Sequence, residues 1–230
     1  EAARACKGRP LRVETYALDG SAAEPHPYTV AETAYHIKTI QPRGDNRFAS
    51  FYVCECETLT YHYERNPADP RIAHQSTLKI DDYGNVLQAA AIVYPRRVPP
   101  SNSPQGGEHH PEQNRGYVTL AEADFINKSD ETDWYRIGVP YAQRSYEITG
   151  LTLNQPYDKE ALQLAIAAAV EIPYEQAPGS GIQKRLLAAA KTSFYDAALS
   201  GELPFGQIAF HALPYHAYEA VYTAGLIAQF

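Results

Sequence analysis

The sequence reads Thr60-Tyr-His-Tyr-Glu-Arg-Asn-Pro-Ala-Asp-Pro-Arg-Ile-Ala-His74 and, three residues later, Leu78-Lys-Ile-Asp-Asp-Tyr-Gly-Asn-Val86. Pro67 and Pro70 each fix their own φ and push the preceding residue towards extended geometry. The first stretch therefore predicts a strand that enters a rigid crossing, and the second predicts a tight β-hairpin. Together they indicate a device that holds strands at set angles rather than a catalytic motif.

The hairpin prediction rests on alternation and on turn chemistry. Leu78 and Ile80 alternate with polar residues, as in a half-buried strand, and residues 86–94 resume an extended run. Turn-forming residues occupy positions 81–85, where Gly84 takes the place that needs a positive φ.

The charged residues of this region are predicted to have structural roles. We expect Asp81 or Asp82 to accept hydrogen bonds from turn amides. A Ca²⁺ site is not expected there, because that ion takes about six to eight oxygen ligands. Four further charged residues are interpreted as pairs that set the geometry of the crossing: Glu64, Arg65, Asp69 and Arg71.

The composition indicates a mildly acidic globular chain. Its 230 residues include 20 Lys and Arg against 27 Asp and Glu, for a formal net charge of −7. Nucleic-acid binding would need a basic stripe, whereas the adjacent basic pairs are Arg96-Arg97 and Lys184-Arg185 alone. No apolar run approaches the ~20 residues of a membrane span. We therefore expect neither a nucleic-acid partner nor a membrane span.

The cysteines predict neither a disulfide framework nor a zinc site. Cys6, Cys54 and Cys56 are odd in number, and no second pair of Cys or His stands at zinc-binding spacing. We expect Cys54 and Cys56 to share one strand face as small apolar fillers, in a protein that folds in a reducing compartment.

No pattern predicts a cofactor or a catalytic residue. His109, His110 and Glu112 come nearest to a metal cluster, but adjacent histidines on an irregular loop favour adventitious binding. A metal-assisted hydrolase that uses these three residues is the weakest hypothesis, because no nucleophile elbow, phosphate loop or zinc-helix motif accompanies them.

The first two thirds of the chain predict a β-rich region, residues 1–151. Extended runs are expected at residues 11–17, 28–41, 48–63, 117–126, 133–139 and 143–151. Residues 98–116 lack hydrophobic anchors and predict an exposed, mobile loop. Arg43-Gly44-Asp45 spells an integrin-binding tripeptide, but we expect an ordinary turn. Trp134, the single tryptophan, is expected to anchor either a core or the wall of a shell.

The remaining region, residues 152–230, predicts two helices and short extended pieces. One helix is expected from Asp158 to about Val170 and another from Ile182 to about Leu199. The fold class is therefore mainly β, a twisted antiparallel sheet with two short α-helices in the C-terminal third. The sequence starts at Glu1 and ends close to the apolar run 220–228, and we expect both ends to be cut from a longer polypeptide.

Several blocks resemble the middle/C-terminal region of the TcdB/TcaC-type B component of bacterial Tc toxin complexes. These blocks are residues 61–74, 82–86 and 94–97, supported by residues 11–20, 26–30, 137–140, 146–150, 203–206 and 212–215. The hairpin at residues 81–86 also resembles one unit of the Tyr-Asp repeats of RHS proteins.

The resemblance implies a scaffold without a catalytic residue. In that family, the B component joins the C component to make a hollow, RHS-type β-sheet cocoon around the toxic part of the C component. Expected partners are thus the rest of the B component and the C component with its enclosed toxic domain. Contact with the A component would involve regions absent here. The complex would be secreted after folding in the bacterial cytoplasm.

A free-standing binding module for a carbohydrate or a protein is the alternative. Its motivation is the number of tyrosines, 18 in all. Alternation places Tyr61 and Tyr63 on one strand face, which together with residues 98–116 could contact a ligand. Buried tyrosines explain the same composition equally well.

Overall fold

The computed structural model describes residues 1–97 and 110–229, in which the chain forms ten strands and three short helices. The strands are β1 (Arg12–Thr15), β2 (Thr29–Gln41), β3 (Ser50–His62), β4 (Arg71–Ile80), β5 (Val86–Val93), β6 (Tyr117–Lys128), β7 (Arg136–Thr149), β8 (Val170–Ile172), β9 (Gln183–Phe194) and β10 (Pro214–Glu219). The helices are α1 (Ala2–Ala5), α2 (Lys159–Ala167) and α3 (Ala224–Ile227).

The strands follow one another in the order β1-β2-β3-β4-β5-β6-β7-β9-β10, and β8 pairs with β9. The β8–β9 pair is parallel, whereas β1–β2, β2–β3, β3–β4, β6–β7, β7–β9 and β9–β10 are antiparallel. The mainly β, twisted antiparallel fold class is confirmed.

The chain divides into two compact units. The first contains the described parts of Glu1–Thr77, Ala91–Tyr117 and Leu153–Lys159. Its main element is the antiparallel pair β2–β3, whose register runs from Thr29 opposite His62 to Gln41 opposite Ser50. These two strands correspond to the extended runs predicted at residues 28–41 and 48–63.

One face of β4 is buried from Ile72 to Leu78. Ile72, His74, Ser76 and Leu78 alternate as buried positions, as the two-residue period of a strand requires. Two of these four side chains are polar, so this face needs hydrogen-bond partners inside the protein.

The second unit contains the described parts of Leu78–Ala90, Val118–Thr152 and Glu160–Phe230. A hydrophobic cluster of Ile126, Phe194 and Ile208 lies within it, and Trp134 and Tyr141 pack against that cluster. Trp134 is therefore a core anchor, one of the two roles that the sequence predicted.

Strand β7 continues through a proline. The sequence predicted two runs, 133–139 and 143–151, but β7 is one strand in which Pro140 lies opposite Phe125 of β6. The pairing register shifts between Asp124 and Phe125, directly beside that proline. Such an irregularity accommodates a residue that cannot donate a ladder hydrogen bond.

The helix predicted from Ile182 to about Leu199 is wrong. This segment forms β9, which pairs with β7 from Gln183 to Lys191 and with β8 and β10 through its two ends. Alanine and leucine favour a helix locally, but partner strands on both sides satisfy the backbone and override that weak preference.

The other predicted helix is present but shorter. Helix α2 ends at Ala167, and Val170 already belongs to β8. The last helix, α3, lies where the sequence predicted extended chain, and the Thr223 hydroxyl caps it by accepting the Leu226 N–H. The helices of the described segments are too short and not apolar enough to cross a bilayer.

Candidate functional site

The charged residues at the crossing between β3 and β4 form ion pairs. Glu64 pairs with Arg71. The Arg65 guanidinium lies 2.6 Å from Asp19 Oδ2 and 5.5 Å from the centre of the Tyr28 ring. The hydrogen bond from Arg65 holds the pKa of Asp19 below its usual value. The expected ion pairs are thus present, and one joins the crossing to the segment between β1 and β2.

The same contacts hold a strained turn. Glu64 and Arg65 have φ values of 49° and 67°, in the left-handed region, which costs about 1–2 kcal/mol for each residue that carries a Cβ. The Asn66 N–H donates to the Tyr63 carbonyl at 2.8 Å, and the Glu64 N–H donates to the Tyr28 carbonyl at 3.0 Å. Backbone hydrogen bonds and ion pairs together offset the strain.

Asp69, between the two prolines of the crossing, is a buried carboxylate with only 6% of its surface exposed. Arg96 Nε donates to Asp69 Oδ2 at 2.8 Å, and the Arg97 N–H donates to Oδ1 at 2.7 Å. Because both oxygens accept charge-assisted or backbone hydrogen bonds, the buried charge is satisfied.

His74 is the centre of a second buried network. Its side chain is completely buried. Nε2 lies 2.8 Å from Glu57 Oε1 of β3, and Nδ1 lies 3.0 Å from the hydroxyl of Tyr94. The Tyr157 N–H donates to the same hydroxyl at 3.0 Å. The network therefore ties β3, β4, the residue after β5 and the segment before α2 together within the first unit.

The tautomer of His74 decides the direction of these hydrogen bonds. With a neutral imidazole and a carboxylate at Glu57, Nε2–H donates to Glu57 and Nδ1 accepts the Tyr94 O–H, whereas a protonated imidazole donates from both nitrogens. Burial raises the pKa of Tyr94 to about 12. Tyr94 therefore keeps its proton at neutral pH and remains a donor.

Both networks converge on residues 94–97, which we call the Tyr94–Arg97 anchor. Its Arg96 N–H also donates to the Gln113 carbonyl at 2.9 Å. Next to it, a Cβ added to Gly116 would lie 2.2 Å from Leu153 Cδ1 and 3.1 Å from the Val93 carbonyl oxygen. The arrangement fixes backbone positions through buried polar groups.

Tyr94→Phe is expected to lower the free energy of unfolding at pH 8 by about 1–3 kcal/mol, because His74 Nδ1 and the Tyr157 N–H lose their partner. Since the Tyr94 pKa is raised in the folded state, wild-type stability is complete below pH 10 and falls as the pH rises towards 12, by up to about 3 kcal/mol. The penalty of the substitution should therefore shrink with rising pH, as measured by urea unfolding at pH 8, 10 and 11.

The matched control is Tyr83→Phe, because Tyr83 is 47% exposed and its hydroxyl donates to the Ser129 hydroxyl at 2.6 Å on the surface. This variant should change stability by less than about 0.5 kcal/mol. A Tyr94→Phe penalty that stays constant from pH 8 to pH 11 would contradict the raised pKa of Tyr94 in the folded protein.

The predicted hairpin turn has the expected chemistry. Gly84 has a φ of 88°, and Asp81 Oδ1 accepts the N–H groups of Tyr83 at 2.9 Å and Asn85 at 2.8 Å. Asp81 Oδ2 accepts a further bond at 2.8 Å from Asn127 Nδ2 at the end of β6. The sequence predicted that Asp81 or Asp82 would accept hydrogen bonds from turn amides, and Asp81 does so.

The other sequence candidates lie apart from the anchor. The rings of Tyr61 and Tyr63 are partly buried and stack on each other, with centroids 5.9 Å apart. The Arg43 carbonyl accepts the Asn46 N–H at 2.7 Å, so the Arg-Gly-Asp tripeptide begins a turn.

Among the described residues, the candidate metal ligands and the cysteines do not come together in one site. His110 and Glu112 are exposed, and His109 and the rest of the predicted loop up to it lie outside the described residues. Among the residues that the structure describes, no three His, Cys, Asp or Glu side chains are grouped for a metal ion. All three cysteines are free thiols, and burial raises the pKa of Cys56.

Sequence reasoning missed the roles of His74 and Tyr94. The alternation Ile72, His74, Ser76, Leu78 already placed the histidine on an inward face, which is a usable signal. The sequence contained no signal for its partners, because Glu57 and Tyr94 are 17 and 20 residues away.

One family model matches more than half of the chain. A family model described as the insecticide toxin TcdB middle/C-terminal region matches residues 1–139. No curated protein matches the sequence.

Solved structures match almost the entire chain. A crystal structure of TcdB2–TccC3 has a TM-score of 0.79 at 24% identity, covering 99% of this chain and 11% of that chain. A structure of the Photorhabdus luminescens Tc holotoxin pore has a TM-score of 0.77 at 23% identity, with the same two coverages. At these identities the likeness concerns the fold, and this chain spans only 11% of the length of those chains. Since the family model covers more than half of its residues, the chain belongs to the insecticide toxin TcdB middle/C-terminal family.

Proposed function

We propose that this chain is a wall segment of the B component of a Tc toxin, part of a shell that joins the C component and encloses its toxic domain. The observation that carries the proposal is the match of 99% of the chain to TcdB2 in its complex with TccC3. The B-component assignment also draws on the family match at residues 1–139.

The physical properties of the first unit support a wall. Strands β2 and β3 have 13 residues each, which corresponds to a length of about 40 Å. Asp69 and His74 are buried and bonded to other elements of this unit, which stiffens the sheet rather than preparing a reaction. In this proposal the segment is a scaffold and not an enzyme.

The proposal also defines partners and location. The segment contacts the rest of the B component and the C component, and the A component binds through other parts of the B component. The assembled complex acts outside the producing cell.

A chimera tests the proposal. The matching segment of TcdB2 is replaced by this chain, and the chimera is produced together with TccC3 and imaged by electron microscopy. We expect a closed particle with the exchanged segment in its wall. A matched control carries an unrelated β-sandwich of similar length and should not close. Failure of the chimera to form a particle, or a particle with the segment outside the wall, would contradict the proposal.

A further inference from the structure

Strands β2 and β3 extend beyond their neighbours as a two-stranded arm. β1 pairs with β2 at residues 29–32, and β4 pairs with β3 at residues 57–62. From Tyr35 opposite Glu55 to the end of the pair, β2 and β3 are bonded only to each other among the described strands. This part of the arm has a length of about 20 Å. The loop at residues 42–49, which we call the arm tip, therefore lies well away from the flanking strands.

The arm tip presents the Arg-Gly-Asp tripeptide to solvent. All residues from Pro42 to Phe48 are exposed. Gly44 has a φ of 45°, and the Asn46 N–H donates to the Arg43 carbonyl at 2.7 Å. Glycine accepts this left-handed geometry without a steric penalty. The tripeptide thus forms the apex of a turn at the end of a long hairpin.

The two charged side chains of the tripeptide do not hold the turn together. Among the residues that the structure describes, neither the Arg43 guanidinium nor the Asp45 carboxylate has an ion-pair or hydrogen-bond partner. The turn between β4 and β5 is different, because its Asp81 carboxylate accepts the N–H groups of Tyr83 and Asn85. Arg43 and Asp45 are therefore available to a binding partner.

The surroundings of the arm tip are basic, although the chain is acidic. Residues 1–10 and 38–48 contain six Lys and Arg against two Asp and Glu, whereas the rest of the chain contains 14 against 25. The fold brings the two segments together. The Ala49 N–H donates to the Glu1 carboxylate at 3.1 Å, and the Arg9 guanidinium donates to the Val53 carbonyl at 3.3 Å. A basic tip of this kind favours a partner with an acidic surface.

We infer that residues 43–45 of the arm tip bind an integrin-type adhesion receptor, which recognises its ligands through a bound divalent cation. The Asp45 carboxylate supplies an oxygen ligand to the receptor's cation, because hard divalent cations prefer carboxylate oxygens. The Arg43 guanidinium pairs with a receptor carboxylate in bidentate geometry. Gly44 has no Cβ, so the receptor can approach the backbone closely.

The charge around the tip agrees with this partner. A protein site for a hard divalent cation is built from carboxylates, so its surroundings are acidic and complement the basic tip. The inference is independent of the wall role, because a segment of a shell does not require an exposed Arg-Gly-Asp turn.

Direct binding tests the inference. The 230-residue chain is immobilised, and a purified integrin ectodomain that binds Arg-Gly-Asp peptides is applied in Mn²⁺. We expect saturable binding that EDTA abolishes and that Asp45→Glu weakens about tenfold or more, because the longer side chain displaces the carboxylate from the cation. Asp130→Glu makes the same change at an exposed position of the second unit and should bind like the wild type. No binding by the wild-type chain, or binding that survives EDTA or Asp45→Glu, overturns the inference.

A second pair of variants separates recognition of the guanidinium from general attraction to the basic tip. Arg43→Lys keeps the charge but loses the bidentate geometry, so it should weaken binding about fivefold or more. Arg47→Lys is the matched control, because Arg47 lies outside the tripeptide and its guanidinium lies over the Phe48 ring. Equal losses for the two variants would mean that only the charge of the tip matters and would overturn the inference.

The assembled particle provides the last test. The TcdB2 chimera bound to TccC3 should bind the ectodomain as the isolated chain does. A closed particle that does not bind it would show that the arm tip is covered in the assembly, which overturns the receptor role and leaves the wall role intact. If the chimera forms no particle while the isolated chain binds the ectodomain, the proposed function fails and this inference stands.

Discussion

Gly150→Ala is expected to lower the free energy of unfolding by about 3–5 kcal/mol, the largest effect of any glycine substitution in the second unit. A Cβ at Gly150 would lie 1.9 Å from the carbonyl oxygen of Gly181, and the Gly150 φ is +81°. The strain of the left-handed backbone and the clash with the Gly181 carbonyl act together. Because the clashing oxygen belongs to the backbone, it cannot move aside as the end of a flexible side chain could. Urea unfolding of the 230-residue chain at neutral pH measures the loss.

Gly181→Ala is the matched control for this clash. Gly181 has a φ of +93°, but a Cβ there has no heavy atom within 4 Å. Gly181→Ala should therefore lower the free energy of unfolding only by the strain of a left-handed residue with a Cβ, about 1–2 kcal/mol. Equal losses for the two variants would show that the close approach of the two loops does not exist in solution.

Asp69→Ala is expected to cost about 2–4 kcal/mol, because the partly exposed Arg96 guanidinium and the Arg97 N–H lose their buried acceptor. Asp69→Asn retains an acceptor oxygen and should cost less, so the pair separates the loss of charge from the loss of hydrogen bonds. The measurement is again the free energy of unfolding in urea.

Glu64→Ala provides the surface comparison. The Glu64–Arg71 pair is about half exposed on both sides, and surface ion pairs contribute about 0–1 kcal/mol. If Asp69→Ala cost no more than Glu64→Ala, the role of Asp69 in holding the Tyr94–Arg97 anchor would be wrong.

Elements governed by neighbouring residues could be predicted from the sequence. The turn at residues 81–85 has the positive φ at Gly84 and the Asp81 hydrogen bonds that its residues indicated. The long strands β2 and β3 agree with the alternation in their sequences. These features depend on sterics and hydrogen bonds within about five residues, so no distant contact was needed to foresee them.

Elements that depend on pairing could not be predicted in the same way. The segment 182–199 has alanines and leucines that suit a helix, yet β9 is a strand because β7 satisfies one edge while β8 and β10 satisfy the other. The sequence predicted separate runs at residues 133–139 and 143–151, yet β7 continues through Pro140 because its partner strand shifts register at Phe125. In both cases the deciding hydrogen bonds come from residues far away in the chain.

The candidate site shows the same division. Its residues were visible as a group of charges and prolines between β3 and β4, and the ion pairs expected for Glu64, Arg65, Asp69 and Arg71 are present. The partners Asp19 and Arg96 lie 46 and 27 residues from Arg65 and Asp69, so the pairing itself needed the structure.

The sequence by itself determined the local geometry of this protein: the extended residues forced by Pro67 and Pro70, the turn at Gly84 and the inward alternation of β4. Short-range sterics act in any environment, which is why these features follow from the residues alone. The tertiary structure alone decided that β9 is a strand and that His74 bonds Glu57 and Tyr94. It also decided that, within residues 1–97 and 110–229, β10 pairs with β9 alone. Those outcomes depend on which distant segments supply hydrogen-bond partners, and no local pattern in the sequence specifies that choice.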